Sequence, residues 1–214
     1  MPLFDGLDLQ IDTPGFHALF GPSGAGKTTL AKIISGDIHA DSGRVSLSDQ
    51  RPCLYTHNHE RLPGWSSVGR HLDKTTPADR RPLKDELTRC FGLSDFMDLR
   101  FSQLSMGQCN RVNLLRYLLQ DFDVLIMDES LANVDEPTRH TIIQAIKSLF
   151  PDAAFVYISH NLVEVSRFCD QIVVFRGVGK TPPIRRVAGQ DHRQDHHLDE
   201  DALERCMLEI INAA

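Results

Sequence analysis

Residues 21–29 combine three glycines, one lysine and two threonines at a spacing that could bind phosphate. Their sequence, GPSGAGKTT, matches the pattern G-x-x-x-x-G-K-[ST]. Glycines allow consecutive backbone N–H groups to curve around a phosphate, and a helix behind them adds the positive end of its dipole. The pattern predicts that Lys27 reaches the β- and γ-phosphates of a nucleotide and that Thr28 offers its hydroxyl to Mg²⁺.

Two carboxylates follow an apolar run in residues 123–129, DVLIMDE. Behind a phosphate loop, Asp128 would hold Mg²⁺ and Glu129 would orient and polarise an attacking water. Side chains alternate at a strand end, so neighbouring acids can serve different atoms. His160 follows a second apolar run and is predicted to lie at the same edge of the sheet. Without the phosphate loop, the simpler interpretation of all three residues is a solvated strand end.

Residues 103–108, QLSMGQ, introduce a helix. Ser105 and Gln108 have the spacing of a capping box, in which each side chain satisfies the other residue's backbone N–H. A capped helix start also presents N–H groups and a positive dipole end, which together can bind an anion. The segment therefore predicts either ordinary helix capping or a helix start that also binds phosphate.

The elements that position these residues follow from hydrophobic periodicity. The pattern predicts strands at 16–20, 44–48 and 53–55, a helix at 27–35 closed by Gly36, and helical pieces after residue 66. Beyond them it predicts an alternation of helix 106–119, strand 124–127, helix 137–149, strand 155–159, helix 161–168 and strand 171–175. Such alternation is typical of an α/β fold with a mostly parallel sheet.

The last helix predicted is amphipathic, and its apolar positions are Leu203, Cys206, Met207, Ile210 and Ile211. We expect this helix to pack on its own domain, with a docking face for a partner subunit as the alternative. Three histidines precede it, His192, His196 and His197. Their acidic surroundings favour a solvated loop over a metal site.

Composition limits the possible functions. A chain of 214 residues can form one domain with a small subdomain. Its 23 basic and 29 acidic residues give a net charge of -6, which argues against a nucleic-acid partner. Five scattered cysteines without a C-x-x-C pair indicate reduced thiols in a cytosolic protein. No signal peptide or membrane-spanning run is predicted, so any membrane role is expected to be peripheral.

The order of five segments, the phosphate loop, LSMGQ, VLIMDE, LANVD and ISH, resembles the nucleotide-binding subunits of ABC transporters. The likeness runs from about residue 3 to about residue 178. It implies a P-loop fold with a mostly parallel central sheet, an antiparallel N-terminal β part and a small helical subdomain at about 66–120. The ATPase domain would occupy 1–178, and 179–214 would form a C-terminal tail.

The resemblance also implies residue roles, in which two subunits pair head to tail and enclose each ATP. Lys27, Glu129 and His160 would be catalytic. Thr28, Asp128 and His57 would hold Mg²⁺. The nucleotide-binding residues would be Gly21, Pro22, Ser23, Gly24, Ala25, Gly26, Lys27, Thr28, Thr29, Ser105, Gly107, Gln108 and Asp135.

The chain departs from the family pattern at several positions. Phe4 is the stand-in for the aromatic residue that stacks on adenine, and His57 takes the place of a glutamine that reaches Mg²⁺. Imidazole suits that hard ion less well than an amide oxygen does. Met106 replaces a glycine of the signature, Ser130 a proline and Asn161 an acid.

The expected function is an ATP-binding and ATP-hydrolysing subunit that powers solute transport, resembling the ATPases of nitrate, sulfonate and taurine importers. Its partners would be a transmembrane permease, a second ATPase subunit (a homodimer) and a solute-binding protein, at the cytoplasmic inner face of the cell membrane. One alternative is a soluble ABC-type ATPase of a non-transport complex. A P-loop small-molecule kinase is a second alternative, although it would not need LSMGQ.

Overall fold

The computed structural model describes residues 3–47, 51–58, 60–177, 180, 182–194 and 198–214. It divides into two compact units. The strand unit comprises Met1–Tyr55, Asp123–Asp128 and Pro151–Ala214. The helical unit comprises Thr56–Phe122 and Glu129–Phe150. Asp128 ends one segment of the strand unit, and Glu129 begins the next segment of the helical unit. The chain therefore leaves the strand unit between these two acids.

The strands form one six-stranded sheet, in the order β2-β3-β4-β1-β5-β6, and all of it except the end of β2 belongs to the strand unit. The strands are β1 Gly15–Phe20, β2 Cys53–His57, β3 Val124–Asp128, β4 Ala154–Ile158, β5 Gln171–Phe175 and β6 Ile184–Ala188. The pairs β3–β4, β4–β1 and β1–β5 are parallel, and β5–β6 is antiparallel. The predicted α/β class with a mostly parallel sheet is therefore confirmed.

The centre of this sheet is apolar because its strands carry branched and aromatic side chains on both faces. Leu19, Ile126, Val156 and Val173 come from four different strands and form one core cluster with helix α1. This cluster fixes the ends of β1 and β3, from which the phosphate loop and Asp128 follow.

Three helices belong to the strand unit: α1 Lys27–Ser35, α6 Leu162–Phe168 and α7 Glu200–Ala213. Helix α1 ends at Gly36, whose φ of 85° forms the left-handed cap that the sequence predicts. Asn161 caps α6 and Asp199 caps α7, each through a side-chain oxygen that accepts a first-turn N–H. The acid that Asn161 replaces is therefore not required for the cap.

The helical unit contains α2 Val68–Thr75, α3 Arg81–Cys90, α4 Met106–Leu118 and α5 Glu136–Leu149. Single 3₁₀ turns lie at Ala78–Arg80, Ser94–Phe96 and Phe101–Gln103. The helices predicted at 106–119 and 137–149 are confirmed to within one residue. The boundaries predicted for the subdomain, at about 66–120, and for the tail, at 179–214, stay predictions.

Two predicted β segments do not form strands. Residues 44–47 are exposed and form no ladder, and Ser48 lies outside the described residues. Residues 3–14 form no strand either, so the antiparallel N-terminal β part is absent from the described residues. Four apolar residues of this segment still pack against the core: Phe4, Leu7, Leu9 and Ile11. Alternating burial thus arises here without the backbone pairing that defines a sheet.

The antiparallel pairing occurs instead at the other end of the chain. Strand β6 pairs with β5 and was not predicted, because its sequence IRRVA carries two arginines and little apolar character. Helix α7 packs on β6 and α6, with Cys206, Ile210 and Ala213 buried. This confirms that the last helix packs on its own unit, although Ile211 is 59% exposed.

In the described part of the chain no helix could span a membrane. The longest helices, α5 and α7, have 14 residues each, whereas a span needs about 20 apolar residues.

The core cluster yields a stability prediction. Replacing Ile126 with Ala removes a fully buried side chain from β3, and we expect the free energy of unfolding to fall by about 2–5 kcal/mol. Ile211→Ala is the matched control, because that side chain is largely exposed and its loss should cost about 0.5 kcal/mol or less. Chemical denaturation of both variants measures the difference. Equal losses would contradict the assigned core.

Candidate functional site

The loop between β1 and α1 has a backbone that only glycine adopts easily. Gly21, Gly24 and Gly26 have φ values of 145°, 78° and 95°. Gly26 is also the N-cap of α1, so no side chain caps the N–H groups of the first turn. Uncapped N–H groups at a helix start bind anions, and phosphate is the usual one. The local geometry therefore suits phosphate, and the phosphate-binding role of residues 21–29 stays a prediction.

Lys27 lies within this loop and is 6% exposed. Its Nζ donates hydrogen bonds to the carbonyl oxygens of Gly21, at 2.8 Å, and Pro22, at 2.9 Å. Both acceptors belong to the loop. The positive charge is thereby kept at the loop, where phosphate oxygens could replace the carbonyls as its acceptors.

Thr28 and Asp128 are brought together from positions 100 residues apart. The Oγ1 atom of Thr28 donates to Oδ2 of Asp128 at 2.7 Å. Asp128 ends β3 and is 7% exposed. A hydroxyl and a carboxylate are oxygen donors, which Mg²⁺ prefers. The two residues predicted to bind the ion therefore meet, and their chemistry fits it.

Tyr55 contributes a second hydroxyl to the same carboxylate, and sequence reasoning missed it. Its hydroxyl donates to Oδ2 of Asp128 at 2.9 Å. Burial and the neighbouring Asp128 carboxylate raise the pKa of Tyr55 well above its usual value, so the phenol keeps its proton at neutral pH. No spacing in the sequence indicates this contact, because a tyrosine in a strand is most often a core residue.

Phe4, the predicted stand-in for the base-stacking aromatic, packs beside the phosphate loop. Its ring centroid lies 5.9 Å from that of Phe175, edge to face. A Cβ added to Gly26 would come within 2.5 Å of the Phe4 ring and 2.9 Å of Leu3. The N-terminal segment thus lies close to the start of α1, and the φ of 95° at Gly26 is what favours glycine there. A base-stacking role for Phe4 stays a prediction.

His160 lies in the turn between β4 and α6 and is exposed. The turn is fixed on both sides of it: Ser159 Oγ accepts from the N–H of Asn161 and donates to Glu164, both at 3.2 Å. Tyr157 donates its hydroxyl to the same buried carboxylate. The exposed histidine is thus carried on a rigid turn at the end of a central strand. Its catalytic role stays a prediction.

In the helical unit, Glu129 has a φ of 51°, which is unusual for a residue other than glycine. Its Oε2 accepts a hydrogen bond from Asn58 Nδ2 at 3.4 Å. Backbone strain of this kind persists where the surroundings hold a residue in place, and functional sites are common examples. The carboxylate predicted to activate water is therefore oriented by an amide side chain.

The residue whose side chain contacts Glu129 is Asn58, the neighbour of His57, which is the predicted Mg²⁺ ligand. The backbone carbonyl of His57 accepts a hydrogen bond from Asn113 Nδ2 at 3.3 Å. The metal role of its side chain stays a prediction. Asn58 was overlooked, although its amide oxygen would suit Mg²⁺ better than imidazole does.

The strained segment around Glu129 is held by a small polar network within the helical unit. Ser130 Oγ donates to the Thr56 carbonyl at 3.1 Å. Asn113 Nδ2 contacts Thr56 Oγ1 and Glu60, each at 3.1 Å. A proline has no side-chain donor, so it could not form the hydrogen bond from Ser130 Oγ to the Thr56 carbonyl. Ser130 therefore gives this chain a hydrogen bond that the family's usual residue lacks.

The capping box of QLSMGQ is confirmed. Ser105 Oγ accepts from the N–H of Gln108 at 3.2 Å, and Gln108 Oε1 accepts from the N–H of Ser105 at 2.7 Å. Helix α4 begins at the next residue, Met106, which is 61% exposed. The helix start is therefore preorganised, with Met106 exposed and Gly107 buried. The phosphate contacts assigned to Ser105, Gly107 and Gln108 stay predictions.

Gly107 packs directly against the segment between β3 and α5. A Cβ at this position would overlap the carbonyl oxygen of Asn133, which has a φ of 62°. Two further bonds join the same elements: Asn110 Nδ2 donates to Ala132 O at 2.6 Å, and Asn133 Nδ2 lies 3.1 Å from Met106 Sδ. Gly107 thus has a packing role within one subunit, in addition to any contact with phosphate.

Asp135 follows this segment as the N-cap of α5. Its Oδ1 accepts from the N–H of Thr138 at 3.0 Å, and that bond lowers the pKa of the Asp135 carboxyl. The acid is exposed and ionised at neutral pH. Its predicted place at a dimer interface is not tested by these contacts.

The three histidines predicted to lie in a solvated loop fall partly outside the described residues, because His196 and His197 are not among them. His192 donates its backbone N–H to Arg167 O at 2.8 Å, and its ring lies 6.2 Å from that of Phe168.

Comparisons with known proteins agree with this geometry. A family model described as "ABC transporter" matches residues 4–132. The molybdenum import ATP-binding protein ModC of Brucella abortus is 36% identical over 180 residues, covering 75% of this chain and 50% of that protein. The spermidine/putrescine import ATP-binding protein PotA of Marinobacter nauticus is 31% identical, covering 81% and 51%. The chain spans about half the length of the curated relatives it matches.

Among solved structures, an ATP-binding cassette of an ABC transporter superposes with a TM-score of 0.75. The alignment covers 99% of this chain and 92% of that one at 19% identity. This likeness concerns the fold, and it confirms the predicted P-loop architecture of ABC-type ATPases.

The packing of Gly107 can be tested by a single methyl group. Helix propensity alone would favour alanine over glycine in α4 by about 1 kcal/mol. We expect Gly107→Ala instead to lower the free energy of unfolding by about 1–3 kcal/mol, because its Cβ must displace the Asn133 backbone.

Gly64→Ala is the matched control, since a Cβ there meets no atom within 4 Å. Urea denaturation of the two variants measures the difference. A Gly107→Ala protein at least as stable as the wild type would show that the Asn133 contact does not require glycine.

Proposed function

We propose that this chain, which belongs to the ABC transporter family, is the ATP-binding and ATP-hydrolysing subunit of a solute importer. The observation that carries the proposal is the 2.7 Å bond between Thr28 and Asp128 behind an uncapped, glycine-rich helix start. That arrangement supplies phosphate binding and a magnesium site at one place in the strand unit.

ATP binding is assigned to residues 21–29. The loop N–H groups and the first turn of α1 hold the β-phosphate, and Lys27 contacts the β- and γ-phosphates. The ammonium is already desolvated by its burial, so its exchange of carbonyl acceptors for phosphate oxygens carries a smaller desolvation cost than that of an exposed lysine.

Thr28 and Asp128 would hold Mg²⁺, and His57 remains the third candidate from the sequence. A Mg²⁺ ion held there would supply positive charge that stabilises the negative charge developing on the phosphate oxygens during transfer. Glu129 orients the attacking water and accepts its proton, aided by the amide of Asn58 that holds its carboxylate. His160 contacts the γ-phosphate from its turn after β4.

A second copy of the chain completes the site. Ser105, Gly107 and Gln108 of one copy would face the γ-phosphate held by the other, and Asp135 would lie at the interface. The start of α4 supports this assignment through the positive end of its helix dipole, which attracts anions although the capping box occupies the N–H groups of Ser105 and Gln108. Hydrolysis would then require the dimer.

Transport is assigned from the relatives, which are named for import of molybdenum and of spermidine or putrescine. The chain would act at the cytoplasmic face of the membrane with a transmembrane permease, and a solute-binding protein would deliver the solute. The relatives' solutes differ in chemistry, so the proposal does not extend to one solute. The likeness to nitrate, sulfonate and taurine importers stays a prediction.

Replacing Glu129 with Gln tests the assigned chemistry. The amide keeps the size of the side chain but cannot accept a proton, so phosphate release should fall by about 10²–10⁴-fold. ATP binding should persist, and the variant should accumulate as an ATP-bound dimer in size-exclusion chromatography. Glu204→Gln in α7 is the control and should behave as the wild type.

Normal ATP turnover by the Glu129→Gln protein would refute the mechanism. Transfer of the γ-phosphate to a small acceptor, in place of release as inorganic phosphate, would instead support a P-loop kinase.

A further inference from the structure

We propose that Tyr55 is a positioning residue for the magnesium-binding carboxylate of Asp128, so that it sets the affinity of the site for Mg²⁺. The inference rests on the proposed ATP hydrolysis. It assigns a role to a residue that no motif of the sequence contains.

The geometry that supports it lies at one oxygen atom. Oδ2 of Asp128 accepts from Thr28 Oγ1 at 2.7 Å and from the Tyr55 hydroxyl at 2.9 Å. A carboxylate oxygen has about two lone-pair directions, so these two donors use the capacity of Oδ2. The other carboxylate oxygen, Oδ1, is then the atom that can serve the ion or a water bound to it.

Two donors also fix the rotation of the carboxylate. One hydrogen bond leaves the group able to turn about that contact, whereas two donors from different elements define its plane. Thr28 comes from α1 and Tyr55 from β2, which is the neighbour of β3 in the sheet. Mg²⁺ demands near-ideal octahedral geometry, so a carboxylate with a fixed direction binds it better than a mobile one.

Tyr55 is itself held in place. Its ring packs against the core cluster that contains Leu19 and Ile126. A tyrosine side chain has only two rotatable bonds before its ring, so packing of the ring determines where the hydroxyl lies. The donor therefore reaches Asp128 from a rigid position and needs little ordering when the ion binds.

The test is the magnesium dependence of nucleotide binding by the Tyr55→Phe protein. Binding of a fluorescent ATP analogue is measured over a Mg²⁺ titration and in EDTA, and phosphate release is measured over the same titration. We expect the Mg²⁺ concentration for half-maximal binding to rise about tenfold, the low end for loss of a partner that orients a metal ligand. Binding in EDTA and phosphate release at saturating Mg²⁺ should stay close to the wild-type values.

Tyr157→Phe is the matched control, since it removes a tyrosine hydroxyl from a carboxylate, that of Glu164, at a different place in the strand unit. This control separates positioning from a general loss of stability, and it is compared in the Mg²⁺ titration of binding alone, because Glu164 also supports the turn that carries His160. An equal rise in both variants would overturn the inference, because the effect would then follow from destabilisation.

An unchanged Mg²⁺ dependence in Tyr55→Phe, beside a wild type that needs Mg²⁺, would also overturn the inference and leave the proposed function intact. A wild-type protein that binds no ATP under any Mg²⁺ concentration would overturn the proposed function itself. Restoring tyrosine at position 55 of the variant should return the titration to that of the wild type. A titration that stayed shifted after this reversion would trace the effect to an unrelated change and overturn the inference.

Discussion

The hydrogen bonding of one buried carboxylate organises the strand unit. Asp128 is 7% exposed, and a buried charge is costly unless polar groups satisfy it. Thr28 and Tyr55 supply two hydroxyl donors at 2.7 and 2.9 Å. These donors require the end of β3, the start of α1 and the strand β2 to converge. The sheet order places β2 beside β3, and the core cluster packs α1 against β1 and β3. Together they bring the two hydroxyls to Asp128.

In the helical unit, one glycine serves local packing and a proposed catalytic contact together. Gly107 lies at the capped start of α4 and allows the Asn133 carbonyl to approach the helix backbone. The family resemblance assigns the same residue to a phosphate held by another copy. A substitution at Gly107 therefore changes two properties at once, and loss of hydrolysis in such a variant does not by itself demonstrate phosphate contact. Measurements of stability and of hydrolysis on the same variant separate the two.

Local patterns predicted most of the fold and much of the site. The phosphate loop, the capping box and the central strands depend on residues close together in the sequence, so spacing and periodicity reveal them. The role of Tyr55 was not predicted, because its partner Asp128 is 73 positions away and the sequence of its own strand does not indicate the contact. Asn58 was not predicted because it lies one position beyond His57, in the turn that follows β2, where the next side chain takes a different direction. The N-terminal β part implied by the resemblance does not form, because the partly buried residues between 4 and 11 pack on the core without a ladder. Strand β6 was not predicted because two arginines interrupt its apolar pattern.

The central claim is that each hydrolytic site combines the phosphate loop of one copy with the signature segment of another. Mixing two defective variants tests it most directly: Lys27→Ala, altered in the loop, and Ser105→Arg, altered in the signature segment. Each protein alone should release almost no phosphate. Their mixture should regain measurable ATP hydrolysis, because a mixed dimer holds one site in which both halves are wild type. A mixture of folded variants that releases no more phosphate than its components would contradict the claim.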